Sequence, residues 1–148
     1  SEYVMAALLA RHVPLYDADQ ALRQGEWRYF AGRPGALRSE LGSQTLGLLG
    51  FGHIAKTLAH RAKAFGMQVV VVNRSPVQSA DVDQSFRLAD LHAFMAACDC
   101  VVVTLPLTEN TRSLVDQNAL SCMRSEALLV NVGRGAVVDE SALFDALK

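Results

Sequence analysis

Only three of the 148 residues are cysteine, four are proline and one is tryptophan, and no charge of one sign predominates. Cys98, Cys100 and Cys122 are odd in number and show no C-x-x-C spacing, so neither a disulfide framework nor a metal centre is expected. All three fall in or beside apolar runs, where free cysteine behaves as a buried, reduced core residue. A reducing cytoplasm is the compartment they suit. Fourteen basic against fifteen acidic residues leave a formal net charge of −1, which gives no electrostatic basis for a nucleic-acid partner. No apolar run approaches the roughly 18 residues needed to cross a bilayer. The apolar stretch from Tyr3 to Leu9 has no basic segment before it and does not read as a secretory signal. Repeats and low-complexity segments are absent. What remains is 51% hydrophobic and 20% charged, the balance of a globular protein with room for one real core.

The pattern along the chain alternates between periods. Ser1 to about His12 reads as a helix stopped before Pro14, and a second helix is expected from Tyr16 or Asp17 to Gln24, ended by Gly25. Residues 26–44 read as a loop holding Gly32, Pro34, Gly35 and Gly42 around Trp27, Tyr29 and Phe30. From Thr45 the chain turns to strand–helix alternation. Thr45–Leu49, Gln68–Val72, Cys100–Leu105 and Ala127–Val132 are continuous apolar runs, expected as strands buried on both faces. A short edge strand is expected near Phe86. Helices are expected at His53–Phe65, Leu88–Ala97, Gln117–Cys122 and Glu140–Leu147, the last with Asp139 as N-cap. The expected fold is therefore α/β, a doubly wound Rossmann-type parallel sheet with helices on both faces, preceded by an N-terminal helix. Residues 1–44 form the lead-in and 45–148 the βαβ core of one domain.

The turn between the first strand and its helix is Gly50-Phe51-Gly52-His53-Ile54-Ala55. A G-x-G-x-x-[GA] string alone is weak evidence, but here it follows a strand, opens a helix and precedes a second buried strand. Gly50 permits the tight turn and Gly52 lets the backbone approach a pyrophosphate. The amides of His53 and Ile54 open the helix and favour an anion. The His53 imidazole, in the first helical turn, suits a solvent or backbone role better than a catalytic one. Cofactor choice is set at the end of the second strand, where an acidic residue would bind the ribose 2′-hydroxyl of NAD. Asn73-Arg74-Ser75 stands there instead. No carboxylate repels a 2′-phosphate, Arg74 can pair with one and Ser75 can add a donor, so NADP(H) is favoured and NAD(H) remains possible. The alternative is that Arg74 lies on the surface or stacks on adenine.

Three further motifs narrow the field. Thr104-Leu105-Pro106-Leu107-Thr108-Glu109-Asn110-Thr111, then Leu128-Leu129-Val130-Asn131-Val132-Gly133-Arg134-Gly135-Ala136-Val137-Val138-Asp139, together with Gly47–Ile54 and Ala64-Phe65-Gly66-Met67, resemble the D-isomer-specific 2-hydroxyacid dehydrogenase family. The resemblance covers essentially the whole chain. It implies a cofactor domain from a two-domain enzyme, with the active site in the cleft between domains. Arg134 matches the substrate-binding arginine of that family, whose planar fork can hold a carboxylate bidentately and polarise the adjoining carbonyl. By position the resemblance also implies cofactor contacts from Thr104, Leu105 and Pro106 on the nicotinamide side, Thr111 on the adenosine side, and Val132 and Gly133 through their backbone.

The resemblance implies hydride transfer between nicotinamide and C2 of a small 2-oxo or 2-hydroxy acid, with glyoxylate or hydroxypyruvate as the first guess. Lactate-, phosphoglycerate- and formate-type activities stay open. The family's proton-transferring His and its orienting Glu are expected after position 148, because His12, His53, His60 and His92 do not fall at matching positions. The expectation is thus a fragment that is inactive alone. A homodimer formed through the opening helix and the segment around Trp27 is also implied, and Trp27, Tyr29 and Phe30 form either that interface or a cover for the core. The rival reading is a dinucleotide-sensing, corepressor-like module of the same fold.

Overall fold

The computed structural model describes residues 1–27 and 40–148; Tyr29, Phe30, Gly32, Pro34 and Gly35 lie outside the described residues. Five strands, β1 (Thr45–Leu49), β2 (Gln68–Asn73), β3 (Gln84–Arg87), β4 (Cys100–Val103) and β5 (Leu128–Asn131), form one sheet in the order β3-β2-β1-β4-β5. Every pairing is parallel. The three central strands are the β-branched and leucine-rich runs, and their side chains alternate between two cores. Leu46, Leu48, Val69, Val71 and Val102 pack with α1 (Glu2–His12) and α3 (His53–Ala64). Leu49, Val70, Val72, Val101 and Val103 pack against α4 (Leu91–Ala97) and α5 (Gln117–Ser121). At roughly 1.5–3 kcal/mol for each fully buried Val or Leu side chain, this two-sided burial is the main stabilising term. No helix among the described residues is long and apolar enough to cross a membrane, and no cluster of His, Cys, Asp and Glu there could hold a metal.

Local signals set the ends of the elements. In α3, Ala55, Leu58, Ala59 and Ala62 are buried at helical spacing. Gly66, at φ +76°, then closes the helix, with Gly66 N–H donating to the Lys63 carbonyl and Met67 N–H to that of Ala62. This paired closure is the one a left-handed glycine allows. Gly25 (φ +76°) closes α2 (Leu15–Arg23) in the same way.

Some boundaries differ from those expected. The second helix starts at Leu15, because Pro14 has a fixed φ suited to a helix start and its carbonyl already accepts from Ala18 N–H at 3.0 Å. β4 ends at Val103 rather than Leu105: its neighbour β1 ends at Leu49, leaving Thr104 N–H to Leu49 O as the last rung. The stretch from Leu88 opens as a 3₁₀ turn, Leu88–Asp90, before α4. A second such turn, Leu41–Ser43, lies in the region read as loop. The connection from β2 to β3 contains no helix, and Asp83 secures it by accepting from Val69 N–H at 2.7 Å and from Lys63 Nζ at 2.9 Å. Both interactions hold the Asp83 carboxyl below its ordinary pKa.

Cys98 and Cys100 are buried and Cys122 is only half-buried, so two of the three thiols are core groups. Burial pushes each of the two up to about 12, where the thiol stays protonated and unreactive at neutral pH.

Candidate functional site

The sheet order reverses between β1 and β4, and α/β proteins bind ligands beyond the carboxyl ends of strands at such a switch point. A cleft of about 310 Å³ lies there. Gly50, Phe51 and Gly52 line it from the turn after β1, Asn73 and Arg74 from the end of β2, and Thr104, Leu105, Pro106 and Thr111 from the segment after β4. The two glycines have different duties. Gly50 sits at φ +96°, where a side chain would be strained, and a Cβ there would stand 2.8 Å from Leu105 Cδ2. Gly52 has no such neighbour: a Cβ there would meet nothing within 4 Å. Its backbone is open to close approach from the cleft.

Helix α3 begins at this point without a side-chain cap. The same is true of α1, α2 and α4, whereas two helices carry an aspartate cap. Asp116 caps α5 by accepting from Ala119 N–H at 2.8 Å, and Asp139 caps α6 (Glu140–Ala146) by accepting from Ala142 N–H at 3.0 Å. The amides of His53 and Ile54 are left without a carboxylate, so the positive end of a 12-residue helix faces the glycine turn. His53 and Ile54 are exposed and their side chains lie outside the cleft lining; the His53 carbonyl accepts from Thr57 Oγ1.

The two threonines spend their hydroxyls on the walls. Thr104 Oγ1 donates to the carbonyls of Leu49 (3.1 Å) and Gly50 (3.3 Å), tying β4 to the glycine turn. Thr111 Oγ1 donates to Pro106 O and accepts from Thr108 N–H, both at 2.7 Å, which closes the loop beneath Pro106. At the end of β2, Asn73 Nδ2 reaches Ser75 O at 3.3 Å and shapes the turn that carries Arg74. Ser75 itself is exposed beyond the lining.

Arg134 follows β5. Its turn is held by Asn131, whose Oδ1 accepts from Gly133 N–H and whose Nδ2 donates to Arg134 O, each at 3.0 Å. Gly133 brings this turn against the cleft wall, since a Cβ there would lie 2.5 Å from Leu105 O. Thus Gly133 has a packing duty as well as any backbone contact with a ligand. The Arg134 guanidinium is exposed and donates only to the neighbouring Gly133 carbonyl, at 3.1 Å. Val132, Gly133 and Arg134 stand beside the cleft rather than in its lining.

Phe51, Leu88, Asn110 and Leu114 also line the cleft and were not singled out from the sequence. Leu88 had a usable signal, since it comes immediately after the carboxyl end of β3. None of the four histidines lines the cleft, and neither does any described carboxylate.

An open glycine, a helix end without a side-chain cap and a cleft that no described carboxylate lines, together at the switch point, define a dinucleotide-binding domain, and these residues fit such a cofactor. The comparisons agree. Residues 4–148 match the family model described as D-isomer specific 2-hydroxyacid dehydrogenase, NAD binding domain. The chain belongs to that family. It is 35% identical over 151 residues to the glyoxylate reductase of Thermococcus kodakarensis, covering 100% of this chain and 45% of that protein. A D-isomer specific 2-hydroxyacid dehydrogenase from Xanthobacter autotrophicus, solved with NADPH and MES, superposes with a TM-score of 0.81 at 32% identity, covering 99% of this chain and 44% of that one. D-lactate dehydrogenase from Aquifex aeolicus, solved with NAD and lactic acid, gives 0.82 at 26% identity, covering 99% and 43%. The chain therefore spans a little under half the length of the proteins it matches.

Proposed function

We propose that the protein carrying this chain is an NADP(H)-preferring reductase of small 2-oxo acids, of the glyoxylate or hydroxypyruvate type. The carrying observation is the unpaired Arg134, held by Asn131 and Gly133 against the wall of a cleft suited to a dinucleotide. A bound nicotinamide would supply the hydride. Around it, Gly50, Gly52 and the opening amides of α3 would hold the pyrophosphate, and Leu105 and Pro106 would pack against the nicotinamide side. Arg134 would grip the substrate carboxylate and draw electron density from the C2 carbonyl oxygen.

The preference for NADP(H) is supported by Arg74 and by the lack of any described carboxylate in the cleft. An acidic residue at the end of β2 would repel a 2′-phosphate; Asn73 does not. Steady-state rates with glyoxylate, hydroxypyruvate and pyruvate are expected to show kcat/KM about tenfold or more higher with NADPH than with NADH, the scale of one charge-assisted contact. A preference for NADH would overturn the cofactor assignment. Tight NADPH binding without turnover of any 2-oxo acid would favour a dinucleotide sensor instead.

The protein is also proposed to dimerise through the opening helices. Tyr3, Leu15, Tyr16 and Trp27 are all more than 70% exposed, and exposed aromatic side chains are of the kind interfaces use. Sedimentation at tens of micromolar should show a dimer, and a monomer there would count against it.

A further inference from the structure

We infer that Arg87, on the edge strand β3, is a second determinant of the 2′-phosphate site, acting with Arg74. This rests on the NADP(H) reading above. β2 and β3 are parallel with Asn73 opposite Arg87, and opposed residues of adjacent parallel strands, about 4.8 Å apart, project to the same face. Which face follows from the neighbours. Phe86 packs into the core under α4, edge-on to Phe94 with ring centroids 5.9 Å apart. Arg87, next in the strand, is turned to the other face, the one that carries α3.

The chain leaving β2 crosses that same face. Ser85, two residues before Arg87, accepts from Val77 N–H at 3.0 Å through its hydroxyl, which lays the segment after Asn73-Arg74-Ser75 along β3. Arg87 therefore stands at the carboxyl end of β3 beside this turn, and Leu88, the next residue, lines the cleft. Arg74 and Arg87 are both exposed, and neither guanidinium has an ion pair or hydrogen bond among the described residues. Two free cations on adjoining strand ends, Arg74 in a cleft that no described carboxylate lines and Arg87 next to its lining residue Leu88, suit a dianion. A phosphate monoester at the ribose 2′ position carries close to that charge at neutral pH. Arg74 would approach it from the β2 turn and Arg87 from the edge strand, and a ribose bearing only a hydroxyl would gain little from either.

The test is calorimetric titration of the whole protein with adenosine 2′,5′-bisphosphate and with AMP, which differ only in the 2′-phosphate. Arg87→Ala is expected to weaken the 2′-phosphorylated probe about tenfold and change AMP by less than about twofold, with Arg87→Lys retaining part of the difference. Because Arg87 is exposed and unpartnered, thermal melts of the variants should match the wild type. If Arg74→Ala weakens the 2′-phosphorylated probe while Arg87→Ala does not, the role of Arg87 is overturned and the NADP(H) reading stands. If the wild type binds both probes equally, both fall.

Discussion

Gly47→Ala should lower the stability of the domain by about 2–3 kcal/mol, the upper part of the range for overpacking a core. Gly47 is the middle residue of β1, bonded to β2 on one side and β4 on the other, so the strand cannot shift without disturbing the whole sheet. A Cβ there would fall 2.3 Å from Cys98 Sγ and 2.8 Å from Phe94 Cζ. Both neighbours are fully buried, and Cys98 is further fixed by its thiol donating to Phe94 O at 3.0 Å. On propensity alone, alanine would be worth roughly 0.5–1 kcal/mol more than glycine within a strand; the clash is expected to reverse that sign. Urea denaturation gives the measurement, as a lower midpoint at unchanged slope. Combining the change with Cys98→Ala removes the nearest atom, and the pair should be more stable than the sum of the single losses predicts. A Gly47→Ala protein as stable as the wild type would mean that α4 lifts from the sheet without penalty, and would overturn this account of why the helix sits so close.

Legibility from sequence followed the physical origin of each feature. The three inner strands were readable because burial on both faces demands unbroken apolar runs, as in Val69–Val72 and Cys100–Val103; β5, also read as buried on both faces, stands at the sheet edge and buries only Val130. The ends of α2 and α3 were readable because Gly25 and Gly66 take a left-handed backbone that other residues avoid. The glycine turn was readable because Gly50 and Gly52 meet opposite requirements, one crowded and one open. What escaped depends on tertiary neighbours. That β4 stops at Val103 is decided by where β1 stops, which no property of Thr104 or Leu105 reveals. The packing duty of Gly133 comes from Leu105, 28 positions earlier in the chain and in a different crossover. The roles of Thr104 and Thr111 were visible only as positions, since nothing local indicates that their hydroxyls go to backbone carbonyls. Arg87 was missed for the same reason: its neighbour Asn73 is brought alongside by strand pairing, not by sequence.

Arg134→Ala in the whole protein is expected to reduce kcat/KM for a 2-oxo acid by about 100- to 1,000-fold, the scale for removing one group that meets developing charge in a transition state. The NADPH dissociation constant should barely move, because Arg134 stands outside the cleft lining. This split between catalysis and cofactor binding separates a substrate role from a structural one. Lysine at this position should recover little, since a point charge cannot reproduce the planar fork. The local structure adds a further test. Both hydrogen-bonding ends of the Asn131 carboxamide are spent on the turn, one on Gly133 N–H and one on Arg134 O. Asn131→Ala leaves the guanidinium in place but frees the backbone that aims it, so the loss should be smaller, about 10- to 100-fold, in keeping with a misplaced rather than a missing group. The Asn131 and Arg134 changes should then be less than additive in the double variant, because the turn has nothing left to position once the arginine is gone. Full additivity would show that Asn131 acts elsewhere. An Arg134→Ala protein retaining turnover within about threefold of wild type would remove this side chain from the transition state altogether, and the carboxylate-binding group would have to be another residue.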